Sequence, residues 1–240
     1  MSIDEFKVLF DEAQQSGERI KQLNFLWKIM RSPFTEYHYS LITDAATSDE
    51  FRKILWSRFD EHGNEAENLL LSKLENNEDI PFHADIIYQL GLIADKKGGE
   101  NKDKILQYAK QFLNRSDDYT RGRTIIVLGW IGSNSDIPLL ANRLLNDTNS
   151  ECRAWSASSF MQMDLRLKRK DQSIDKSLVY PVLLQAIEKE TDYSTLGVFI
   201  TSLQEISGKN FRLSNTAVEC VDIEKIDRAK KSAINFLMRQ

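Results

Sequence analysis

The chain has few of the residues that interrupt secondary structure, with four prolines and ten glycines among 240 residues. A sandwich or barrel needs turn signals roughly every 8 to 12 residues, so this scarcity excludes those folds and favours long elements. Long hydrophobic runs are missing too, since no window approaches the roughly 18 apolar residues that cross a bilayer. The acidic start MSIDEFKVLFDEAQ has no feature of a secretory signal. We therefore expect a cytoplasmic protein that makes no membrane contact.

Groups that perform catalysis are equally scarce. Cys152 and Cys220 form no CxxC pair, and we expect free thiols that fill small spaces in the core. His38, His62 and His83 include no i, i+4 pair that could bind zinc on a helix, and we expect them at the surface or at helix ends. The sequence has no GxSxG, P-loop or GxGxxG motif. These absences predict a protein without catalytic residues, metal or cofactor.

Charge is distributed unevenly along the chain. Residues 1–100 carry 19 acidic and 11 basic side chains, a net charge of −8, whereas residues 101–240 carry 17 and 21, a net charge of +4. The acidic part favours a cationic partner and argues against a nucleic acid laid along the whole surface, because a polyanion needs a continuous basic track. The alternative is that solvated helix faces simply vary in charge.

Apolar residues recur with the helical period almost throughout. Ile3, Phe6, Leu9 and Phe10 form one predicted buried stripe, and Leu23, Leu26, Trp27 and Met30 form a second. The second helix should stop near Ser32, because the residue before a proline is pushed out of the helical region. Further helices are predicted at 48–60, 64–76, 81–95, 102–114, 119–132, 136–146, 150–163, 176–189, 193–207 and 222–239. No segment is a convincing strand.

The sequence also repeats itself. RGRTIIVLGWIG at 121 aligns with RAWSASSFMQMD at 153, an offset of 32, and QFLNRSD at 111 aligns with RLLNDTN at 143 at the same offset. Repeats of roughly 20 to 50 residues built from paired helices indicate a solenoid. We predict an all-α fold, a right-handed α-solenoid of stacked antiparallel helix pairs, forming one domain over residues 1–240. Residues 1–47 would be an N-terminal helical cap, 48–207 the repeats and 208–240 a C-terminal capping helix.

Two glycines lie within the most aliphatic stretch, RTIIVLGWIGSNSDIPLLANRLL. In a free helix Gly129 would cost about 1 kcal/mol relative to alanine. We therefore predict that it lets another helix approach closely. Gly132 is predicted to end the helix before the turn.

The same stretch resembles a HEAT-like repeat of the phycobiliprotein-lyase type. The matching residues are Arg121, Leu128, Gly129, Ile137, Pro138, Leu144 and Asp147. The resemblance extends from Pro81 to Met163, although Phe160-Met161 replaces the Leu-Gly ending in the last repeat. It implies a helical scaffold that binds a macromolecule, without specifying which one.

The case for nucleic-acid binding rests on a basic run that should follow one helix. Arg166, Lys168, Arg169 and Lys170 could hold phosphates. Acidic residues flank this run, however, and the preceding Trp155 and Phe160 have a spacing that fits core packing better than base stacking. We therefore expect a solvated loop between helices and do not expect a nucleic-acid partner.

Protein recognition remains as the main interpretation. The second helices of stacked pairs usually line the concave side of a solenoid, which makes their polar residues candidates to face a partner. The predicted partner-binding residues are Asp60, Glu61, Glu65, Glu67, Glu75, Asp79, Asn142 and Arg143. Small acidic HEAT-like proteins without catalytic groups resemble immunity proteins, which implies a basic toxin domain, such as a nuclease, as partner. The alternatives are a DNA glycosylase or chromophore lyase on the same scaffold, and a general assembly scaffold.

Overall fold

A computed structural model describes residues 1–76, 82–96, 98–115 and 117–240, with the side chain of Asn76 left out. In these ranges the chain forms α-helices and two short 3-10 helices, Phe59–His62 and Asn134–Asp136, and no strand. The α-helices are α1 (Ile3–Ser16), α2 (Arg19–Ile29), α3 (Thr35–Thr43), α4 (Asp49–Trp56), α5 (Asn64–Asn76), α6 (His83–Lys96), α7 (Lys102–Phe112), α8 (Asp118–Ile131), α9 (Ile137–Asn146), α10 (Ser150–Lys168), α11 (Lys176–Lys189), α12 (Tyr193–Ser207), α13 (Asn215–Glu219) and α14 (Ile223–Leu237). The predicted all-α fold is confirmed.

Most predicted helices lie within a few residues of their observed bounds, and three helices differ in ways that affect the surface. Helix α3 was not predicted, α2 ends at Ile29 rather than near Ser32, and α10 continues to Lys168 instead of stopping at 163. The last difference moves part of the basic run from a predicted loop onto the final turn of a helix.

The chain divides into two compact units, Met1–Ile105 (unit 1) and Leu106–Gln240 (unit 2), with the division inside α7. This division does not coincide with the predicted boundaries at residues 47 and 207. The arrangement of one domain over 1–240 remains a prediction, and each unit is described by itself.

Unit 1 is built around aromatic side chains. The rings of Phe10 and Phe51 stack with centroids 5.2 Å apart, and Phe25 meets both of them edge-on. This cluster selects the face of α2 that is buried: Gln22, Phe25, Leu26 and Ile29 point inward. The predicted stripe one residue further along was therefore wrong for Trp27, whose ring is exposed. Both stripes have the same helical spacing, so periodicity alone could not separate them.

Unit 2 stacks helices in two layers. In one layer α10 packs between α8 and α12. In the other α11 packs between α9 and α14. The layers also contact each other, through α9 with α10 and through α11 with α12. Helices α9 to α12 and α14 therefore each contact more than one neighbour, which is the packing of an α-solenoid and explains the excess of aliphatic residues.

Gly129 lies where α8 and α10 approach each other closely. A Cβ at this position would lie 2.8 Å from Cα of Ser159, and Oγ of Ser159 donates a hydrogen bond of 2.8 Å to the carbonyl of Ile125. The predicted role of Gly129 is thus confirmed. Gly132 does follow the last residue of α8, but with a φ of −69° it caps the helix without the left-handed backbone that favours glycine.

Buried arginine–carboxylate pairs recur at one position of the repeat. Arg121 of α8 makes a bidentate contact with Asp147, at 2.9 and 2.7 Å, and Arg153 of α10 makes one with Glu190, at 2.7 and 3.0 Å. Each acid is the C-cap of the second helix of its pair. The offset of 32 in the sequence thus places the two arginines in equivalent structural positions.

The starts of α4 and α9 differ in their caps. Ser48 caps α4, since its side chain accepts a hydrogen bond from the amide of Phe51. Before α9, Ser133 forms a reciprocal capping box with Asp136 across the 3-10 helix, and Asp136 is the N-cap residue of α9. Pro138 lies in the first turn of α9, where its missing N–H costs little.

Candidate functional site

Two of the predicted partner-binding acids are buried. Asp60 and Glu67 are each 1% exposed. Oδ2 of Asp60 lies 3.2 Å from Nζ of Lys96, and Oε1 of Glu67 accepts hydrogen bonds from the backbone and side-chain nitrogens of Asn101, at 2.7 and 2.8 Å. They hold the end of α6 and the start of α7 against the rest of unit 1. This corrects the expectation that both carboxylates face a partner.

The remaining acids of that set do not form one cluster. Glu65 and Glu75 are exposed and lie at opposite ends of α5, about 15 Å apart along the helix axis at 1.5 Å per residue. Glu65 accepts a hydrogen bond from Thr35, and Glu75 pairs with Lys104. Glu61 is half-buried and lies 3.6 Å from Arg58. Asp79 lies outside the described residues.

Asn142 and Arg143 belong to unit 2, on α9. Asn142 is exposed and accepts a hydrogen bond of 2.8 Å from Asn146 one turn later. Arg143 is half-buried, donates to Oδ1 of Asn114 at 2.8 Å and lies 3.7 Å from Asp147. Its guanidinium is therefore partly used inside the unit. These positions remain predicted contact residues on the outer part of α9.

A groove in unit 2 brings together side chains that the sequence did not single out for binding. Two aromatic residues flank it: Tyr119 of α8 is 54% exposed and Trp155 of α10 is 44% exposed. The groove has a volume of about 420 Å³, and Gly122 and Cys152 also line it. A Cβ at Gly122 would make an ordinary van der Waals contact, 3.8 Å, with the Trp155 ring. We call this the Tyr119–Trp155 groove.

Hydrogen bonds fix the entrance of the groove. Asp117 caps α8 through the amide of Thr120, and Asn149 caps α10 through the amide of Cys152. The Asn149 amide also donates to Asp118 at 2.8 Å, which ties the two helix starts together. The helix ends that carry the exposed rings are therefore held in place.

The charges around the groove have mixed sign. The Arg123 guanidinium lies 5.1 Å from the Tyr119 ring centroid, and its Nη2 donates to the Tyr119 hydroxyl at 3.1 Å. Asp118 pairs with Arg121 at 2.6 Å, and Glu151 lies exposed at the rim. Two aromatic faces with carboxylates nearby can receive an apolar or basic side chain of a partner.

The cysteine in the floor of this groove has no features of a nucleophile. Cys152 is buried, and burial raises the pKa of its thiol to about 11, with a further contribution from Asp147. The neighbouring Arg153 is occupied by Glu190. Cys152 is therefore the buried, free thiol that was predicted. Cys220 is also free, but it is exposed, which corrects its predicted place in the core.

The histidines of unit 1 differ from their prediction as well. His38 is fully buried, and its Nδ1 lies 2.9 Å from Nε2 of His62. Burial lowers the pKa of His38 to about 3, with the nearby His62 as the second cause. Burial also lowers the pKa of His62. The expectation of surface histidines was thus wrong for His38. The described part of the chain holds no group of three or more His, Cys, Asp or Glu that could bind a metal.

The basic run lies at the end of α10 and just after it. Arg166 donates to the carbonyl of Gly132, and Nζ of Lys168 lies 2.6 Å from the buried Asp164. Two of its four cations are thus engaged within unit 2. The spacing of Trp155 and Phe160 predicted that both pack in the core. This prediction is confirmed for Phe160, which is buried, and wrong for Trp155, which is exposed.

Helical spacing alone does not show that Trp155 is exposed. Cys152, Ser156, Ser159, Phe160 and Met163 mark the buried stripe of α10. Trp155 lies three residues after Cys152 and four before Ser159, so it has the spacing of that stripe as well. The repeat offset of 32 instead aligns Trp155 with Arg123, a polar position of α8. A large aromatic residue aligned with a polar position is the signal that was missed.

Comparison with known proteins supports the repeat assignment for part of the chain. A family model described as HEAT repeats matches residues 67–161. This segment is similar to a HEAT-like repeat, a helical scaffold often used in protein interaction, whereas the narrower phycobiliprotein-lyase resemblance stays a prediction. No curated protein matches the chain. No solved structure matches it either. Within the described ranges, no helix is long and apolar enough to span a bilayer.

Proposed function

We propose that this chain is a non-catalytic protein-binding module that binds its partner through the Tyr119–Trp155 groove. The observation that carries the proposal is the pair of exposed aromatic rings, Tyr119 and Trp155, that line one groove. Tyrosine, tryptophan and arginine dominate binding energy at protein interfaces, and here all three residue types line one groove. Exposed apolar side chains that share one patch mark interaction sites, whereas single exposed hydrophobic residues are normal.

The finer proposal is an immunity or inhibitor protein that neutralises a basic toxin domain, such as a nuclease, in the cytoplasm. Charge complementarity supports a basic partner: residues 1–100 carry a net charge of −8, and Glu65, Glu75 and the groove-rim Glu151 are exposed. Opposite charges on two partners accelerate association and favour the matching partner over others. Exposed aromatic rings also attract lysine and arginine side chains.

The absence of catalysis is part of this proposal and is supported by the state of the reactive side chains. A nucleophilic cysteine needs a lowered pKa, whereas burial raises the pKa of the Cys152 thiol to about 11. A general base needs access to substrate, whereas His38 is fully buried against His62. These groups stabilise the units rather than line a reaction site.

The test is a matched pair of tryptophan variants. The partner is first purified from the native host with the full chain and identified by mass spectrometry, and its Kd is then measured. Trp155→Ala should weaken binding by about 30-fold or more, the loss of roughly 2 kcal/mol expected at an interface hot spot. Trp27→Ala is the control, because Trp27 is exposed to a similar extent, 47%, on α2 of unit 1. Its Kd should stay within about twofold.

Each outcome separates the alternatives. Equal affinities for wild type and Trp155→Ala would remove the groove from the proposal. The identified partner is then expressed alone and together with this chain: growth arrest that co-expression relieves supports the inhibitor function, whereas a harmless partner indicates an assembly scaffold. Release of bases from damaged DNA, or attachment of a bilin to a cysteine acceptor, by the purified chain would overturn the non-catalytic proposal.

A further inference from the structure

A second groove in unit 2 is lined by cations. It lies between α14 and the loop from Gly208 to Ser214 that links α12 to α13, and its volume is about 460 Å³. Arg212, Lys225, Arg228 and Lys231 line it together with the polar Asn210 and Ser232, and no carboxylate is among its lining residues. We call this the Arg212 groove.

The loop presents Arg212 in a fixed and costly conformation. Arg212 has a φ of +61°, in the left-handed region where a residue with a Cβ is strained. Gln204 holds the loop on both sides of it: the Gln204 side-chain oxygen accepts hydrogen bonds from the amides of Phe211 and Leu213, and its nitrogen donates to the Leu213 carbonyl. Phe211 and Leu213 are buried, whereas the arginine between them is exposed. Strain held in this way often accompanies function.

Two of the four cations have no counter-ion among the residues that the structure describes. Nζ of Lys225 lies 2.7 Å from Asp222, and Nη2 of Arg228 lies 3.5 Å from Glu224, a pair that is largely exposed. In the described part of the chain, neither the Arg212 guanidinium nor the Lys231 ammonium lies within ion-pair distance of a carboxylate. An anion entering the groove would therefore meet two cations that no internal partner neutralises.

We propose that the Arg212 groove binds a small polyphosphate-bearing ligand. A guanidinium recognises phosphate oxygens through two parallel hydrogen bonds, and lysine ammonium groups add point charges around it. The volume falls within the range of small-molecule sites, roughly 300 to 1,000 Å³. The one aromatic residue in the lining, Phe211, is buried and offers no face on which a base could stack. This favours a compact polyphosphate over a single-stranded nucleic acid.

The first experiment exploits the strain at Arg212. Inorganic tripolyphosphate is titrated calorimetrically into the full chain, and binding should weaken as salt is added. Arg212→Gly removes the guanidinium but relieves the left-handed conformation, so affinity should fall about tenfold while the Tm does not fall. Loss of binding in this variant therefore cannot result from unfolding. An unchanged affinity would overturn the proposal, as would a wild type that does not bind tripolyphosphate.

A matched pair on α14 tests whether the groove or the general charge is responsible. Lys231 lines the groove and the adjacent Lys230 does not, although both carry the same charge on the same helix. Lys231→Gln should weaken tripolyphosphate binding several-fold, and Lys230→Gln should leave it within about twofold. Equal losses of affinity in both variants would show that general surface charge, and not the groove, binds tripolyphosphate. If a single-stranded oligonucleotide binds more tightly than tripolyphosphate, the ligand is a nucleic acid and the proposal is wrong.

Discussion

Unit 1 and unit 2 bury polar groups in different ways. In unit 2 the same arrangement occurs twice, because Arg121 with Asp147 and Arg153 with Glu190 occupy equivalent positions of successive helix pairs. In unit 1 the buried polar contacts, His38 with His62 and Glu67 with Asn101, each have their own geometry. A repeated arrangement leaves a repeated sequence, whereas contacts of differing geometry leave no periodic signal.

The same contrast applies to the hydrophobic contacts. Unit 1 interlocks aromatic rings from α1, α2 and α4, such as Phe10, Phe25 and Phe51. Unit 2 instead brings helix backbones close together. At Gly129 of α8 a Cβ atom would lie only 2.8 Å from Cα of Ser159 of α10. We expect the two units to respond differently to substitution and to acid, and three predictions test this.

The largest effect should follow the loss of a buried arginine in unit 2. Arg121→Met leaves the carboxylate of Asp147 buried with the hydrogen bond from the Asn149 backbone amide and the 3.7 Å contact to Arg143, and we expect a loss of about 3–5 kcal/mol in the free energy of unfolding. Urea unfolding measures the loss, and hydrogen exchange should locate it in the peptides of α8 and α9.

Two further variants test the cause of that loss. Arg143→Met removes the longer and more exposed contact to the same carboxylate, so it should cost no more than about 1 kcal/mol. The double variant Arg121→Met with Asp147→Leu should recover most of the stability, since no charge remains buried alone. A cost below about 1 kcal/mol for Arg121→Met would show that Asp147 is not held by this pair.

The second largest effect is a loss of stability in acid. It should be confined to unit 1, because all three histidines of the chain, His38, His62 and His83, lie in it. The pKa of His38 is lowered from 6.5 to about 3, so the folded state keeps the imidazole neutral and the unfolded state takes up the proton first. Stability from this group is present above pH 6.5 and is lost as the pH falls toward 3. At pH 5 the loss amounts to about 2 kcal/mol.

His38→Gln isolates this contribution, because the glutamine amide can donate or accept a hydrogen bond with His62 but does not titrate. Between pH 7.5 and pH 5, wild type should lose about 2 kcal/mol more than the variant in the free energy of unfolding of unit 1. Amide exchange in unit 2, corrected for intrinsic rates, should respond equally in both proteins. Identical pH dependence of wild type and variant would mean that His38 is protonated in the folded chain.

The contrast between the units also explains how much of the fold was predictable from the sequence. Helices α8 to α10 and the close contact at Gly129 were predictable, because the repeat aligns Arg121 with Arg153 and exposes the apolar pattern twice. Helix α3 and the buried face of α2 were not, since neither has a second copy for comparison. Two neighbouring stripes on α2 have the same period, and only the aromatic rings of α1 and α4 decide between them.

The candidate site was harder to predict than the fold. Glu67 was assigned to the surface by its charge, although it shares the i, i+3, i+4, i+7 stripe with Leu70, Leu71 and Leu74. That spacing could have shown its burial. The burial of Asp60 could not be inferred in this way, because it lies in a 3-10 turn outside the helical period. Trp155 was assigned to the core by its spacing, but the position of its ring depends on which face of α10 the neighbouring helices cover.

The smallest expected effect is the change in stability when either of two glycines of α8 is replaced by alanine. A methyl group at Gly129 would lie 2.8 Å from the backbone of Ser159, so α8 and α10 would have to separate. Such overpacking costs about 1–3 kcal/mol, and the better helix propensity of alanine returns about 1 kcal/mol. Gly129→Ala should therefore destabilise unit 2 by about 1 kcal/mol on balance.

Gly122, where the nearest atom would lie 3.8 Å away, has room for a methyl group, so Gly122→Ala should stabilise α8 by about 0.5–1 kcal/mol. The opposite signs of the two changes, measured by urea unfolding, are the test. Stabilisation by both would mean that close backbone contact does not constrain the packing of α8 on α10.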